Sequence, residues 1–280
     1  MTLARSGQEE WNPDYGNPRI LSPLIRDETE MSYVIYPIVT ARIAVDTGRL
    51  TYLRNYGKRA WLPCPFYLIT GGPEPVLVDT SASADLMSHI RLEPVEPVLD
   101  FQEGLANAGF SLEEIRIVIL THLMYDHCAN SKLLPNARFV VQKNELDFAL
   151  APHPMFAGSY RRDLFEGLPF EIVDGDRECM PGIQLLFTPG HSPGGQSVAV
   201  STSAGVAIIT GFCCIQENFV PQKNEAWTTD TVPEVIPPGI HTDMMQAYKS
   251  AMRVKALADI IIPFHDPIMA IKKQIPDKKE

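Results

Sequence analysis

The stretch Ile117-Val118-Ile119-Leu120-Thr121-His122-Leu123-Met124-Tyr125-Asp126-His127-Cys128 decides how this chain is read. Its first four residues are an unbroken apolar run, as a strand buried on both faces requires. Directly after it come two imidazoles, a carboxylate and a thiol within seven residues. All of these groups ligate metals. Imidazole and carboxylate suit zinc, iron or manganese, and a thiolate adds a preference for zinc or iron.

Moving outward, two more histidines follow strand candidates in the same way. His191 lies in Thr188-Pro189-Gly190-His191-Ser192-Pro193-Gly194-Gly195, after an apolar run at 183–187, and His265 follows Ile260-Ile261-Ile262-Pro263-Phe264. Three His-bearing turns, each launched from a strand end, place a site along one rim of a sheet. Further strands are read at 33–39, 66–70, 76–79, 138–142, 170–173, 197–200, 206–210 and 260–262. Helical pattern is read at 98–110, 144–150 and 243–258, and Ser111 with Glu114 fits a capping box. Many strands interrupted by few helices, without strict alternation, predict two packed sheets flanked by helices.

The order of these motifs resembles the metallo-β-lactamase-fold hydrolases, and within them the N-acyl-homoserine-lactone lactonase group. Val78-Asp79-Thr80 resembles that family's early Asp-Thr/Ser-Gly turn, and residues 121–127 resemble its Thr-His-x-His-x-Asp-His signature. Residues 188–194 match its Pro-Gly-His-Thr/Ser-Pro-Gly turn, and His265 stands where its last metal-binding His follows a late strand. The resemblance runs over roughly residues 31–270. It implies an α/β fold, an αβ/βα sandwich of two mixed β-sheets flanked by helices, with a metal site in a groove at one edge.

The departures carry as much information. Met124 stands at a usual His ligand position, and Thr210-Gly211-Phe212-Cys213-Cys214 replaces a Gly-Asp turn whose carboxylate bridges two metals. Matching Gly-Asp literally puts Phe212 at the Asp position, whereas equal spacing from His191 puts Cys213 there. The first metal site then keeps only His122 and His191. The second keeps Asp126, His127 and His265, with the thiolate of Cys213, or failing it Cys214, replacing the bridge. A thioether at Met124 is too weak a donor to restore the first site. One metal ion is therefore expected, zinc first, with iron and manganese as alternatives. Asp79 is expected to fix the tautomer of a ligand imidazole, or else to serve as a plain turn former. Met124 is expected at the pocket wall, Tyr125 facing the groove, and Cys64 and Cys128 in the core. Glu217-Asn218-Phe219 matches a family segment, but the catalytic Tyr expected shortly before it is absent.

Composition bounds the rest. The 280 residues carry 24 Lys+Arg against 34 Asp+Glu, a formal net charge of −10, and no basic stripe, which excludes a nucleic-acid binder. Five cysteines without a CxxC pair suggest neither a disulfide scaffold nor a zinc ribbon. No apolar run reaches the roughly 18 residues of a membrane span, so no membrane partner is expected and a cytoplasmic setting is the default. Residues 1–30 read as an N-terminal arm and 31–280 as the metallo-β-lactamase-like domain. The arm and Trp61 suit a homodimer contact. His89, His153 and His241 are read as background, and the pocket loops at 20–60, 151–170 and 215–240 carry no signature.

The leading expectation is a mononuclear metal-dependent hydrolase of a small-molecule lactone, cyclic amide or related ester, using hydroxide from a metal-bound water. Asp126 would orient that water or take a proton from it, and His122 and His191 would bind the carbonyl or protonate the leaving group. Two rivals are a mononuclear iron oxygenase acting on a sulfur or other redox substrate, and a degenerate member that binds a ligand without chemistry.

Overall fold

Two long strands, β1 (Val34–Asp46) and β2 (Arg59–Thr70), pair antiparallel and found the first sheet of the computed structural model, which describes residues 32–222 and 232–278. After them come β3 (Val76–Val78), α1 (Ala84–Ile90), β4 (Val95–Pro97), α2 (Phe101–Asn107), β5 (Ile117–Ile119) and the one-turn α3 (Tyr125–Cys128). Next are β6 (Arg138–Gln142), α4 (Lys143–Leu150), α5 (Arg162–Phe165) and β7 (Phe170–Val173). The remaining elements are β8 (Arg177–Met180), β9 (Ile183–Phe187), β10 (Gln196–Thr202), β11 (Gly205–Ile209), α6 (Met244–Leu257) and β12 (Ile260–Ile262). The first sheet has the order β4-β1-β2-β3-β5-β6-β7 and the second β12-β11-β10-β9-β8. Both are mixed: β3, β5, β6 and β7 run parallel, as do β11 and β12, while the other pairs are antiparallel. The N-terminal arm expected at 1–30 lies outside the described residues.

The apolar run at 117–120 is buried on both faces because the strand sits mid-sheet. Ile117 and Ile119 point between the sheets, against Leu185, Val198 and Ile209 of the second. Val118 and Leu120 point the other way and pack with Phe101, Leu105 and Phe165 under α2 and α5. On the opposite flank Ala251 and Val254 of α6 cover Leu186, Ala199 and Ile208. Period-two alternation in the strands thus builds a helix–sheet–sheet–helix sandwich. No helix among the described residues is long and apolar enough to cross a membrane.

The strand read at 66–70 begins at Arg59, and the largest other differences fall on β1 and α2. The strand read at 33–39 continues to Asp46 because β2 pairs with it along its length, through an irregularity between Val39 and Ala41. The helix read from Val98 begins at Phe101. Asp100 caps it, its carboxylate accepting from the Gln102 and Glu103 N–H groups, while the Val98 and Leu99 N–H groups donate to Thr40 O.

A polar clamp ties the two sheets together under the rim. The Gln142 Nε2 donates to Gln196 Oε1 at 2.9 Å, and the Gln196 Nε2 donates to Leu120 O at 2.8 Å. The Gln196 backbone N–H donates to Thr121 O at 3.0 Å. The start of β10 is thereby held against the end of β5. Gly211, just past β11, packs on the same residue, since a Cβ there would stand 1.7 Å from Gln196 O.

Candidate metal centre

Each strand end delivers one part of the centre. Beyond β5 the chain turns through Thr121–Met124 into α3, which presents Asp126 and His127 on consecutive residues. His191 follows β9 and His265 follows β12. The ligand atoms of Asp126, His127 and His265 all lie within 4.8 Å of one another. Four imidazoles form a row across the rim. Ring centroids are 4.9 Å apart for His191 and His122, 3.8 Å for His122 and His127, and 5.5 Å for His127 and His265.

The tautomers follow from what each Nδ1 meets. His127 Nδ1 donates to Asp79 Oδ2 at 2.7 Å, His265 Nδ1 to Pro63 O at 2.9 Å, and His191 Nδ1 to Ile240 O at 2.7 Å. The single proton of the Thr121 hydroxyl goes to Asp79 Oδ2 at 2.7 Å, so Thr121 accepts from His122 Nδ1 at 2.9 Å. Each neutral imidazole therefore keeps its lone pair at Nε2. The Nε2 of His122 is buried and has no hydrogen-bond partner. Asp79 achieves its reach from a left-handed backbone, φ +59°, a conformation that Asp tolerates better than most side chains.

The electrostatics keep these lone pairs free. Burial, with the neighbouring imidazoles, holds His122 well below the usual range, and burial brings His191 and His265 down to about 4. Burial pulls His127 down as well, but Asp79 and Asp126 outweigh it and raise the ring. Burial pushes Asp126 up, yet His127, His265 and Arg91 together keep it below its ordinary value and ionised. Two imidazoles and a carboxylate match the protein ligands of a catalytic zinc and equally of a mononuclear iron. A partner on Nδ1 that leaves Nε2 to the centre is what metal-binding histidines require, and His127 and His265 both have one.

Of the residues around the expected bridge, Phe212 packs among apolar side chains that include Phe219, and Cys214 is buried beside Thr210 Oγ1 at 3.1 Å. Cys213 is the one near the charge of Asp126, and burial with that charge pushes its thiol up to about 12. It stands outside the group of three. Met124 is buried with Leu123, Cys128 and Phe165, and Cys64 and Cys128 lie in the core. Tyr125 is buried too, its Oη accepting from Arg91 Nη1 at 2.9 Å.

Some contributors left no mark in the sequence. Arg91, just past α1, ion-pairs with Glu93 at 3.3 Å and supports Asp126. Ile240 offers only a backbone carbonyl. Its neighbour His241 is half-buried, edge-on to Tyr52 at 5.1 Å, and close enough for its charge to reach His191.

Residues 59–265 match the model of the Metallo-beta-lactamase superfamily. An N-acyl homoserine lactonase of Bacillus thuringiensis is 28% identical over 199 residues, covering 66% of this chain and 78% of its own. N-acyl homoserine lactonase AttM of Rhizobium radiobacter is 25% identical over 255 residues, covering 83% and 93%. A crystal structure of a B. thuringiensis AiiA variant with N-decanoyl-L-homoserine bound at the active site superposes with a TM-score of 0.69. It shares 26% identity and covers 86% of this chain and 96% of that one.

Proposed function

The chain belongs to the metallo-beta-lactamase superfamily, and we propose that it is a metal-dependent hydrolase that works with a single metal ion and opens a lactone ring. The observation that carries this reading is the convergence of Asp126, His127 and His265 within 4.8 Å, with each Nδ1 already committed elsewhere. These three residues would hold the ion, and zinc is the first candidate. When bound, it supplies Lewis acidity and brings the pKa of a bound water to about 7. Lactones are the first substrates to try, N-acyl homoserine lactones among them, because the related lactonases act on them. Cyclic amides and related esters follow.

The chain's own residues then divide the work. Asp126 carries the fixed negative charge that orients the water. His122 and His191, with Nδ1 as donor, offer lone pairs at Nε2 and so accept protons. His122 takes the proton of the attacking water and delivers it to the ring oxygen as the C–O bond breaks. The expected test is a purified protein with one zinc per chain that hydrolyses members of a lactone panel. Loss of both in an Asp126→Ala, His265→Ala double variant supports the reading, and unchanged hydrolysis in that variant overturns it.

A second reading is favoured by one observation. With Cys213 outside the group, two His and one carboxylate also describe a mononuclear iron centre for oxidation of a sulfur or other redox substrate. Iron in the purified protein together with oxygen uptake would select it.

A further inference from the structure

Glu145, in the first turn of α4, is wholly buried beneath the row of histidines. Its Oε1 accepts from the Leu123 N–H at 2.9 Å and from the Tyr160 hydroxyl at 3.0 Å, and its Oε2 accepts from the Gly194 N–H at 3.2 Å. The Ser192 hydroxyl, next to His191, also faces this carboxylate, and all of these donors are neutral. Leu123 follows His122 directly, and Gly194 ends the turn that begins at His191. Gly194 lets that turn sit on the helix, since a Cβ there would stand 2.0 Å from the Glu145 N.

Burying a carboxylate among neutral donors is costly, and the cost has to be met by geometry that no amide reproduces. A carboxylate accepts on both oxygens, whereas a glutamine accepts on one and donates from the other. Backbone donors from two turns meet here on different oxygens, and a carboxylate accepts both. It spans the His122 loop and the His191 turn, whose rings meet edge to face at 4.9 Å and 89°. It bonds to none of Asp126, His127 and His265, although its charge reaches His127.

We propose that Glu145 is a positioning residue: it sets the His122–His191 pair through the two turns that carry them, without bonding to the metal-ligand group, and so governs the proton-transfer step. This rests on the reading of the centre as a hydrolase. In Glu145→Gln the oxygen faces Leu123 and Tyr160, and the amide turns its N–H atoms on Gly194, which pushes the His191 turn away.

The test compares wild type, Glu145→Gln, Glu145→Asp and Tyr160→Phe by metal content, by kcat and KM on a lactone the wild type opens, and by histidine-ring nitrogen NMR. Glu145→Gln is expected to keep its full metal content and its KM while kcat falls about 10- to 100-fold. The ring signals of His122 and His191 should move while that of His265 stays. Tyr160→Phe leaves the carboxylate and both backbone bonds to the His122 and His191 turns, so its kcat should remain within a factor of about three. If the Gln variant does not fold, Glu145→Asp carries the same readouts, since it keeps the charge one methylene short. A wild-type kcat with unmoved His191 signals overturns the proposal, as does parallel loss of metal and kcat. If the wild type opens no lactone, the lactone reading fails, and the NMR comparison still decides the role of Glu145.

Discussion

Thr121 decides which nitrogen of His122 faces the centre, because its one hydroxyl proton is already given to Asp79. Asp79 in turn accepts from Thr121 N–H, Thr121 Oγ1 and His127 Nδ1, so one buried carboxylate sets two imidazoles. An Asn at this position cannot accept from both sides. Asp79→Asn should therefore weaken metal binding by about 10- to 100-fold, read by chelator competition; an unchanged affinity would contradict this role. The residues of this layer were partly legible in the sequence. His122, Asp126, His127, His191 and His265 sit in motifs, and Asp79 sits in the early turn. The Ile240 and Pro63 carbonyls were not legible, because a backbone acceptor can come from any residue and is chosen by the fold. Glu145 was not legible either, since a Glu in the first turn of a helix reads as ordinary dipole compensation.

At the scale of elements, the strands that carry the site were the readable ones. The bounds at 138–142, 170–173, 183–187 and 260–262 coincide with β6, β7, β9 and β12, since each is rich in apolar residues, although β7 and β12 stand at sheet edges. The missed strands are β4 and β8, Val-Glu-Pro and Arg-Glu-Cys-Met, each the outer strand of its sheet. An edge with a solvated face has no need of an apolar run. Helix α1 was missed because Met87 is its single buried residue and leaves no stripe. The Pro-Gly-His-Ser-Pro-Gly-Gly turn was readable as a motif, and the structure supplies its physical reason. A Cβ on Gly190 would stand 2.1 Å from Ala247 N, and one on Gly194 would stand 2.0 Å from Glu145 N. Both contacts are with helix backbone, which cannot step aside as a side chain would. Gly194→Ala should destabilise the fold by about 1–3 kcal/mol, read by chemical denaturation. A variant as stable as the wild type would show that the turn is not pressed on α4.

For the whole molecule, the row of buried imidazoles ties stability to pH and to metal. His191 and His265 titrate near 4 in the fold, against 6.5 when unfolded. Between those values the unfolded chain binds more protons, so stability of the metal-free protein rises with pH across that window. Metal-free protein is expected to lose melting temperature as the pH falls from about 6.5 towards 4, and a flat profile would contradict the burial of these rings. A metal that binds only the folded state adds stability by mass action, so chelation should lower the melting temperature and added zinc should restore it. The sandwich itself was legible, because its strands and the order of its motifs run through nearly the whole chain. The number of metal ions is the claim on which the mechanism depends. Elemental analysis of the purified wild type beside the Asp126→Ala, His265→Ala double variant tests it most directly. One ion per chain in the wild type and none in the double variant is the expected result, whereas two ions in the wild type, or one surviving in the variant, would contradict it.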